Sequence, residues 1–460
     1  MPFDPARAAI RFGCGLSPAI PAPESVNAML EALAGPDRAA ERFPAAGFEA
    51  VREAHVAVTE ARRRIRNGKS EAEREAALKD RQDATRELRR DAVGWFGQTL
   101  MRRVKTEDGF RERLVGFWAD HFTAQGPGGA LRFGYAGYVE DAIRPHVGGR
   151  FSDMLKAAVT HPLMLIYLNQ TQSVGPGSAV VTRRGKKLGL NENLARELLE
   201  LHTLGVGGPY DQSDVRDLAK LLTGLAYLRR KGFVYRAGHA EPGPLAFMGR
   251  RYGDKVPELG RVMAVLEDLA AHPATAAHLA RKMAVHFTGD APDAGLVDAM
   301  AQAFRASDGR LPAMYAAMLE HPAAWAEDGG NVKQPLDFMA SSLRALDVSE
   351  RHLSLKYRAV SRYFLNPLIL MGQSWGAPPG PDGFPEDDAA WITPQRMAAR
   401  LQWGMTVPFR LMRTLPDPRD FVEVALGPGA PEPVRFAARA AETRAEGVGL
   451  VLASPAFQRM

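Results

Sequence analysis

The sequence predicts a mainly α-helical protein, a multi-helical globular chain with a small β-hairpin inserted near residues 227–256. Apolar residues and strong helix formers recur at helical spacing over most of the 460 residues, as they do in helices that bury one face. Between residues 227 and 256 aromatic residues, glycine and proline replace this period, which is typical of a hairpin. No repeat of 20–50 residues is found, so a solenoid is excluded.

The stretch 48–103 carries the strongest helical pattern, because it is rich in Ala, Glu, Arg and Leu. Such residues, with opposite charges four positions apart, stabilise exposed helices. The letters NGKS at 67–70 interrupt the pattern. We therefore predict a charged helical hairpin, the arm, which is either a solvated surface or a binding surface for a partner.

The rest of the chain is expected to complete a single helical domain over residues 1–460. The segment 169–190 begins with Gly, Ser and Pro and ends in basic residues, which predicts a flexible loop. A second loop, rich in Pro, Gly and Trp, is predicted at 374–394. The predicted regions are thus the arm at 48–103, central helices at 104–226 with the loop 169–190, the hairpin at 227–256, and C-terminal helices at 257–460 with the loop 374–394.

Composition excludes several classes of protein. The formal net charge is +6 over 460 residues, a mild excess that predicts no nucleic-acid partner. The single cysteine, Cys14, excludes an intrachain disulfide and a cysteine-based metal cluster. No run of about 18 apolar residues occurs, so no membrane span is expected. The first residues lack the apolar core of a secretory signal, so a cytoplasmic location is expected.

The stretch NENLARELLELHTLG, residues 191–205, places three carboxylates and a histidine on one short helix. At about 100° per residue, Asn193, Glu197 and Glu200 share one face. His202 lies about 200° from Glu200, on the side of the leucines. A regular helix therefore cannot bind one metal ion through both Glu200 and His202, and a facing segment must complete any site.

Facing segments offer two histidines as metal ligands. His121 lies in FWADHF, and His239 lies in GHAEPGP. With Glu197 and Glu200 they form the predicted ligand set, because carboxylate and imidazole groups suit zinc, manganese or iron. A divalent metal ion is thus the predicted cofactor.

The same residues also have purely structural interpretations. His121 and His202 sit among apolar neighbours, as satisfied core histidines do. Arg196 and Glu200 are four residues apart and can form an ion pair. Arg183 and Arg184 belong either to a solvated loop or to a basic flap that closes over an anionic ligand.

Signatures of the common enzyme classes are missing. The sequence has no Gly-x-Ser-x-Gly elbow, no His-Glu-x-x-His, no Walker loop and no dinucleotide-binding glycine fingerprint after a strand. Serine hydrolases, zincin proteases, kinases and dehydrogenases carry these motifs. Those four classes are therefore not favoured.

Five segments, in this order, resemble the bacterial domain-of-unknown-function family 1800, and the closing VGLVLASPAFQRM resembles its C-terminal ending. The resemblance covers nearly the whole chain, and the run 190–224 is its most specific part. The five segments are HPLMLIYLNQTQS, GLNENLARELLELHTLGVGGPYDQSDVRDLAKLLTG, HAEPGPLAFMG, HPATAAHLARKMAVHF and LMGQSWGAPPGPDGFPEDDAAWITP.

This resemblance implies a chain without an established activity. Many members are exported and are encoded beside sulfatase-like proteins, so a sulfatase-like protein partner is implied. The chain has Ala119 and Asp120 where the family's FWHNHF-like motif implies His and Asn, which weakens a metal site built around position 119. The matching positions that deserve testing are His121, Asn191, Glu192, Asn193, Arg196, Glu197, Glu200, His202, His239 and Gly243.

Two functions are therefore expected as alternatives. The first is a metal-dependent enzyme, a hydrolase or an oxidoreductase, with its site between the helix 191–204 and the hairpin 239–249. There Glu197 and Glu200 would act as ligands or bases and Arg196 as an anion clamp. The predicted binding residues are Asn191, Glu192, Asn193, His202, Arg183 and Arg184. The second alternative is a non-catalytic helical scaffold that binds a protein partner, such as a sulfatase-like protein.

Overall fold

The computed structural model describes residues 3–184, 189–327, 330–353 and 356–460. Helices make up most of these ranges, and the strands that they contain form two short antiparallel hairpins. The predicted fold class, mainly α with a small β insertion, is confirmed. None of the helices in these ranges combines the length and the hydropathy that a membrane span requires.

Four short helices begin the chain. The side chains of Asp4, Ser25 and Asp37 accept hydrogen bonds from backbone N–H groups in the first turn of three of them. These bonds satisfy donors that the start of a helix leaves without a partner. The helices are Pro5–Arg7, Ala8–Phe12, Val26–Ala34 and Arg38–Arg42.

The arm consists of the helices Phe48–Asn67 and Glu71–Lys105, which pack against each other. The chain turns between them at residues 68–70, inside the predicted break. Ser70 begins the second helix by accepting a hydrogen bond of 3.2 Å from the backbone N–H of Glu73. The second helix ends at Lys105, two residues beyond the predicted boundary at 103.

The central region holds short helices that bury most of their residues. One of them, Ala179–Arg184, falls inside the predicted flexible loop 169–190. The hydroxyl oxygen of Ser178 accepts a hydrogen bond from the backbone N–H of Val181, and the carbonyl of Ser178 accepts one from the N–H of Thr182. Residues 185–188 lie outside the described ranges. The helices are Gly109–His121, Leu131–Phe133, Tyr135–Tyr138, Val139–Ile143, Arg144–His146, Phe151–Thr160, Pro162–Tyr167, Gln170–Gln172, Ala179–Arg184, Asn193–Glu197, Leu198–His202 and Gln212–Leu221.

The β insertion contains two hairpins where the sequence predicted one. The strands Leu225–Leu228 and Gly232–Tyr235 pair with Leu225 opposite Tyr235. The strands Leu245–Phe247 and Arg250–Tyr252 pair with Leu245 opposite Tyr252. A short helical turn, Ala237–His239, lies between the two hairpins and interrupts the aromatic pattern that predicted a single one.

C-terminal helices complete the described fold. They are Leu259–Ala271, Pro273–Thr288, Ala294–Ala306, Leu311–Glu320, Pro322–Trp325, Pro335–Ala345, Glu350–Leu353, Tyr357–Val360, Ser361–Leu365, Asn366–Leu370, Asp388–Trp391, Pro394–Leu411, Pro418–Leu426, Glu432–Ala440, Arg444–Ala453 and Pro455–Gln458. The segment 374–394 is irregular apart from the turn of helix at Asp388–Trp391.

Two apolar clusters form the interior. The first joins the N-terminal and central helices to those between residues 259 and 325. The second joins the helices from residue 338 onward. The long arm helix serves both, because Trp95 packs in the first cluster and Phe96 in the second. Trp375 packs against both clusters, so the segment 374–394 lies along the seam between them.

Candidate active site

The predicted helix 191–204 is a short α-helix that continues as a wider π-helical turn, Leu198–His202. Leu194, Leu198 and His202 are buried, while Asn193 is exposed. The two faces predicted from the sequence are therefore present. The wider turn adds a residue to the helical repeat, so the angle predicted between Glu200 and His202 does not hold, and such turns are frequent at functional sites.

Most acidic groups of this helix bind neighbouring cations. Arg196 donates to Glu200 at 3.2 Å and lies 3.8 Å from Glu192. Gln212 donates to Glu192 at 2.9 Å. All these side chains are partly exposed, so such pairs stabilise the fold by about 0–1 kcal/mol each. Arg196 thus pairs with two carboxylates of its own helix, and its role as an anion clamp stays a prediction.

Glu197 differs from the other acidic groups of the helix. Burial raises the pKa of its carboxyl, and the charges of Glu200 and Asp382 raise it further, against the effect of Arg196. Asp382 belongs to the segment 374–394. A residue of that segment is therefore close enough to Glu197 to affect its ionisation.

His121 and His202 meet in the interior together with His278. The Nε2–H group of His121 donates to the backbone carbonyl of His202 at 3.2 Å, and the two ring centres are 5.9 Å apart. The Nε2–H group of His278 donates to the carbonyl of Leu201 at 2.9 Å. Within the described ranges, neither ring nitrogen of His202 has a hydrogen-bond partner.

The three histidines are uncharged near neutral pH. Burial lowers the pKa of all three rings, to about 3 for His202. The positive charge of Lys282 lowers each of these pKa values further. Neutral imidazoles are the form that binds metal ions, but the rings here lie among aromatic side chains of the core.

The remaining predicted residues lie in connecting segments. His239 is half-buried at the end of a helical turn, and its carbonyl accepts a hydrogen bond of 2.8 Å from Gly175. The amide N–H of Asn191 donates to the carbonyl of Asn169 at 3.3 Å, and its amide oxygen accepts from the backbone N–H of Asn193 at 2.8 Å in the turn before the helix. Arg183 is exposed, and its Nε–H donates to the carbonyl of Ala179. The side chain of Arg184 lies outside the described residues.

The predicted metal ligands do not come together as a set. His121, Glu197, Glu200 and His239 are all described, yet no three His, Cys, Asp or Glu side chains in the described ranges form a group that could hold a metal ion. His121 and His202 do meet, as neighbours in the core. Metal dependence therefore stays a prediction.

Metal content is directly measurable. Protein purified without chelator is expected, on the prediction from the sequence, to hold near-stoichiometric zinc, manganese or iron by elemental mass spectrometry. The variant Glu197→Ala/Glu200→Ala is expected to lose that metal while keeping the circular dichroism spectrum of the parent. Sub-stoichiometric metal in the parent would contradict the predicted ligand set.

A different group of polar side chains converges on a small cavity at the seam between the two apolar clusters. The cavity has a volume of about 60 Å³, enough for a few water molecules. Residues 375, 376 and 384 of the segment 374–394 form one wall. We name it the polar cavity, and its charged and polar lining is Arg103, Arg113, Asp120, Tyr135, His286, Gln334, Asp337 and Gln373.

Asp337 is held between two arginines beside the polar cavity. One carboxylate oxygen binds Arg103, and the other accepts from Arg113 at 3.2 Å. Burial opposes ionisation of Asp337, but Arg113 and Arg103 outweigh it and keep the pKa of the carboxyl below its usual range. The three groups are buried, so this pairing fixes the positive wall of the cavity.

His286 is oriented by partners on both sides of its ring. Arg113 lies 3.2 Å from the Nε2 atom, and the carboxylate of Glu386 lies 2.9 Å from the Nδ1 atom. A guanidinium group can only donate, so Nε2 accepts and the Nδ1–H group donates to Glu386. Burial opposes ionisation of Glu386, but His286 and Lys282 outweigh it and lower the pKa of its carboxyl.

Asp120 is the carboxyl group of the polar cavity whose pKa is raised. Its carboxylate accepts hydrogen bonds of 2.9 and 3.2 Å from the backbone N–H of Phe384. Burial, opposed by Lys282 and assisted by Glu386, raises the pKa of Asp120 to about 7. Burial raises the pKa of the Tyr135 phenol, and the nearby charge of Asp120 raises it further. Asp120 is thus a buried carboxyl that exchanges its proton near neutral pH.

The backbone beside Asp120 requires a glycine. Gly383 has φ +92°, and a Cβ atom there would overlap the carboxylate of Asp120. Only glycine adopts this conformation without strain and leaves the room. The segment 374–394 can therefore approach Asp120 closely enough for Phe384 to donate its N–H.

The chain matches the family model described as "Protein of unknown function (DUF1800)" over residues 7–459. The chain belongs to this family. No curated protein and no solved structure matches it. The description of DUF1800 assigns no activity, so the function must be argued from the site.

Only some residues of the polar cavity are noticeable in the sequence of this DUF1800 chain. Asp120 is noticeable as a departure from the family's FWHNHF-like motif, and it precedes His121. His286 is followed by a phenylalanine in AVHF, as His121 is in FWADHF. No local pattern connects these helices to Asp337 or Glu386, because the contacts join residues more than 95 positions apart.

Proposed function

We propose that the chain is an enzyme and that it catalyses an acid–base reaction, such as hydrolysis of a small polar substrate, with the reacting water held in the polar cavity. The observation that carries the proposal is the convergence of Asp120, Tyr135 and His286 on one cavity under the segment 374–394. These groups come from separate helices; Phe384 donates to Asp120, and Glu386 and Arg113 hold the ring of His286. A titratable group whose pKa is strongly perturbed by burial and by charged neighbours, and which lines a cavity, is a candidate for a functional site.

Asp120 is the proton-transfer group in this proposal. A carboxyl whose pKa is near 7 is present in both protonation states at neutral pH, so it can accept a proton from water and return it to a leaving group. Arg103 and Arg113 supply positive charge beside the cavity, and this charge would stabilise an anionic transition state. His286 keeps a fixed ring orientation between Arg113 and Glu386.

The proposal concerns this chain and not every relative. The FWHNHF-like motif that the chain resembles has Asn where this sequence has Asp120. A protonated carboxyl has the shape and the donor of an amide, so the replacement fits the same pocket. An amide has no proton to exchange, and relatives with Asn would need another group for this step.

The proposal is tested by incubating the protein with a metabolite extract and following every compound by mass spectrometry. The parent is expected to consume at least one small polar compound. Asp120→Asn is expected to lower that rate by about 100-fold or more, the usual contribution of a proton-transfer group. Asp254→Asn, which changes an exposed carboxyl, is the matched control and should keep the parent's rate.

The same assay separates the polar cavity from the predicted metal site. Loss of activity in Glu197→Ala/Glu200→Ala together with full activity in folded Asp120→Asn would contradict the proposal. It would favour the metal-dependent hydrolase or oxidoreductase predicted at the helix 191–204, with Glu197 and Glu200 as ligands.

A non-catalytic scaffold is the second candidate. Two contacts favour it, because Glu200 is paired with Arg196 and His121 donates to a backbone carbonyl. A polar cluster that is satisfied internally can fix a core without chemistry. In that case the arm would bind a protein partner, such as the sulfatase-like protein that the family resemblance implies. Calorimetric titration of such a protein with the parent tests this candidate, and an absence of heat in that titration would contradict it.

A further inference from the structure

We propose that a second site, on the arm and remote in sequence from Asp120, binds a compact ligand that carries several phosphate groups. The site is a groove of about 960 Å³ between the arm, the turn at 129–132 and the segment 356–358. We name it the basic groove. Its charged lining is Arg62, Arg81, Arg86, Arg89, Arg90, Arg132, Lys356 and Arg358.

The charge of the basic groove is one-sided. Among the residues that the structure describes, eight cationic residues and no Asp or Glu line it. The whole chain has a formal net charge of only +6, so the groove holds more positive charge than the protein has in excess. Cations that repel one another destabilise the folded state, and a bound anion removes that cost.

Most of these cations are not neutralised by carboxylates of the protein. Arg86 pairs with Asp83 at 3.1 Å on its own helix, and Arg132 stacks on the ring of Phe133. For the other six, no ion pair with an acidic side chain is found in the part of the chain that the structure describes. Elsewhere on the arm Arg64 is paired with Asp80 at 2.7 Å. The guanidinium groups of the groove are therefore available to a ligand.

Arginine is the residue that suits phosphate. Its planar fork donates two parallel hydrogen bonds to one phosphate group, which an ammonium group cannot do. Seven of the eight cations are arginines. Residues 81–90 lie along about 13 Å of one helix, given a rise of about 1.5 Å per residue, so several phosphates can be bound in a row.

The shape of the groove favours a compact ligand over a polymer. The cations come from four chain segments that surround one volume. A volume of about 960 Å³ is at the upper end of sites for small molecules. Val58, Ala130 and Tyr357 provide less polar surface between the cations, which a ligand with an organic part would cover.

Calorimetric titration with sodium tripolyphosphate tests the inference. The parent is expected to bind one tripolyphosphate per chain, with an affinity that falls as salt concentration rises. The variant Arg81→Gln/Arg89→Gln/Arg358→Gln is expected to bind at least 30-fold more weakly. The control Arg63→Gln/Arg66→Gln/Arg305→Gln removes three exposed arginines that do not line the groove. It is expected to bind within about threefold of the parent, because net charge alone contributes little.

Three results would overturn the inference. Equal weakening in both triple variants would show that binding follows net charge and not the groove. Binding of hexaglutamate as tightly as tripolyphosphate would assign the groove to an acidic protein segment. Tighter binding of a single-stranded 20-nucleotide DNA than of tripolyphosphate, lost in the groove variant, would assign it to nucleic acid. None of these measurements depends on activity at Asp120, so the two proposals fail separately.

Discussion

Asp337→Asn is expected to lower the free energy of unfolding by about 3–5 kcal/mol, the cost of removing one partner from a buried ion pair. Asp337 is the carboxylate that Arg103 and Arg113 share beside the polar cavity. An amide leaves both guanidinium groups buried without a countercharge. Lys333, whose pKa burial lowers to about 7, also interacts with Asp337, which opposes that lowering, so the substitution removes a partner from this buried amine as well.

Urea denaturation followed by circular dichroism at pH 7.5 measures this effect. The unfolding transition of Asp337→Asn is expected to have its midpoint at a much lower urea concentration than that of the parent. Asp80→Asn breaks the exposed pair with Arg64 and is the matched control, with an expected change within about 1 kcal/mol. Equal, small shifts in both variants would show that the pairing at Asp337 does not fix the cavity wall.

The fold class could be predicted because its signals are local. The arm is an example, since its helix formers and the NGKS break lie within 58 residues of sequence and the structure turns at 68–70. The β insertion was placed correctly for the same reason. Its division into two hairpins was not foreseen, because the turn Ala237–His239 has no distinctive composition.

The polar cavity could not be predicted, because its residues meet only through tertiary packing. Arg103 and Asp337 are 234 positions apart, and His286 and Glu386 are 100 positions apart. Neither pair leaves a pattern in one sequence. Asp120 was visible only as a departure from a motif, and its neighbour His121 attracted the metal hypothesis instead.

The helix 191–204 shows how far a periodic argument reaches. The pattern assigned Asn193 to the outside and His202 to the inside, as the structure has them. It assumed a regular repeat, and the π-helical turn Leu198–His202 breaks that assumption. Interactions between residues distant in sequence, such as the repulsion between the charges of Glu197 and Asp382, decide which neighbours complete the site.

Asp120→Asn is expected to make the protein more stable at pH 8.5 while it abolishes the proposed activity. The pKa of Asp120 is raised from 3.8 to about 7 in the folded chain. Between these values the folded state keeps a proton that the unfolded state has released, so stability falls as pH rises through this window. The full penalty, about 4 kcal/mol at most, applies above pH 7. Asparagine does not titrate, and its amide oxygen still accepts the N–H of Phe384.

The gain in stability should therefore depend on pH. Thermal unfolding at pH 8.5 is expected to give Asp120→Asn a melting temperature several degrees above that of the parent. Near pH 4 the difference should nearly vanish, because the parent carboxyl is then protonated in the folded state and about half protonated in the unfolded state. Asp254→Asn, with its exposed carboxyl, should match the parent at both pH values. A difference of equal size at both would mean that the amide packs better and that Asp120 does not titrate near neutrality. A gain in stability that depends on pH, together with lost activity, would instead show that the chain keeps a buried acid at the expense of stability. Active sites often show this trade-off between stability and activity.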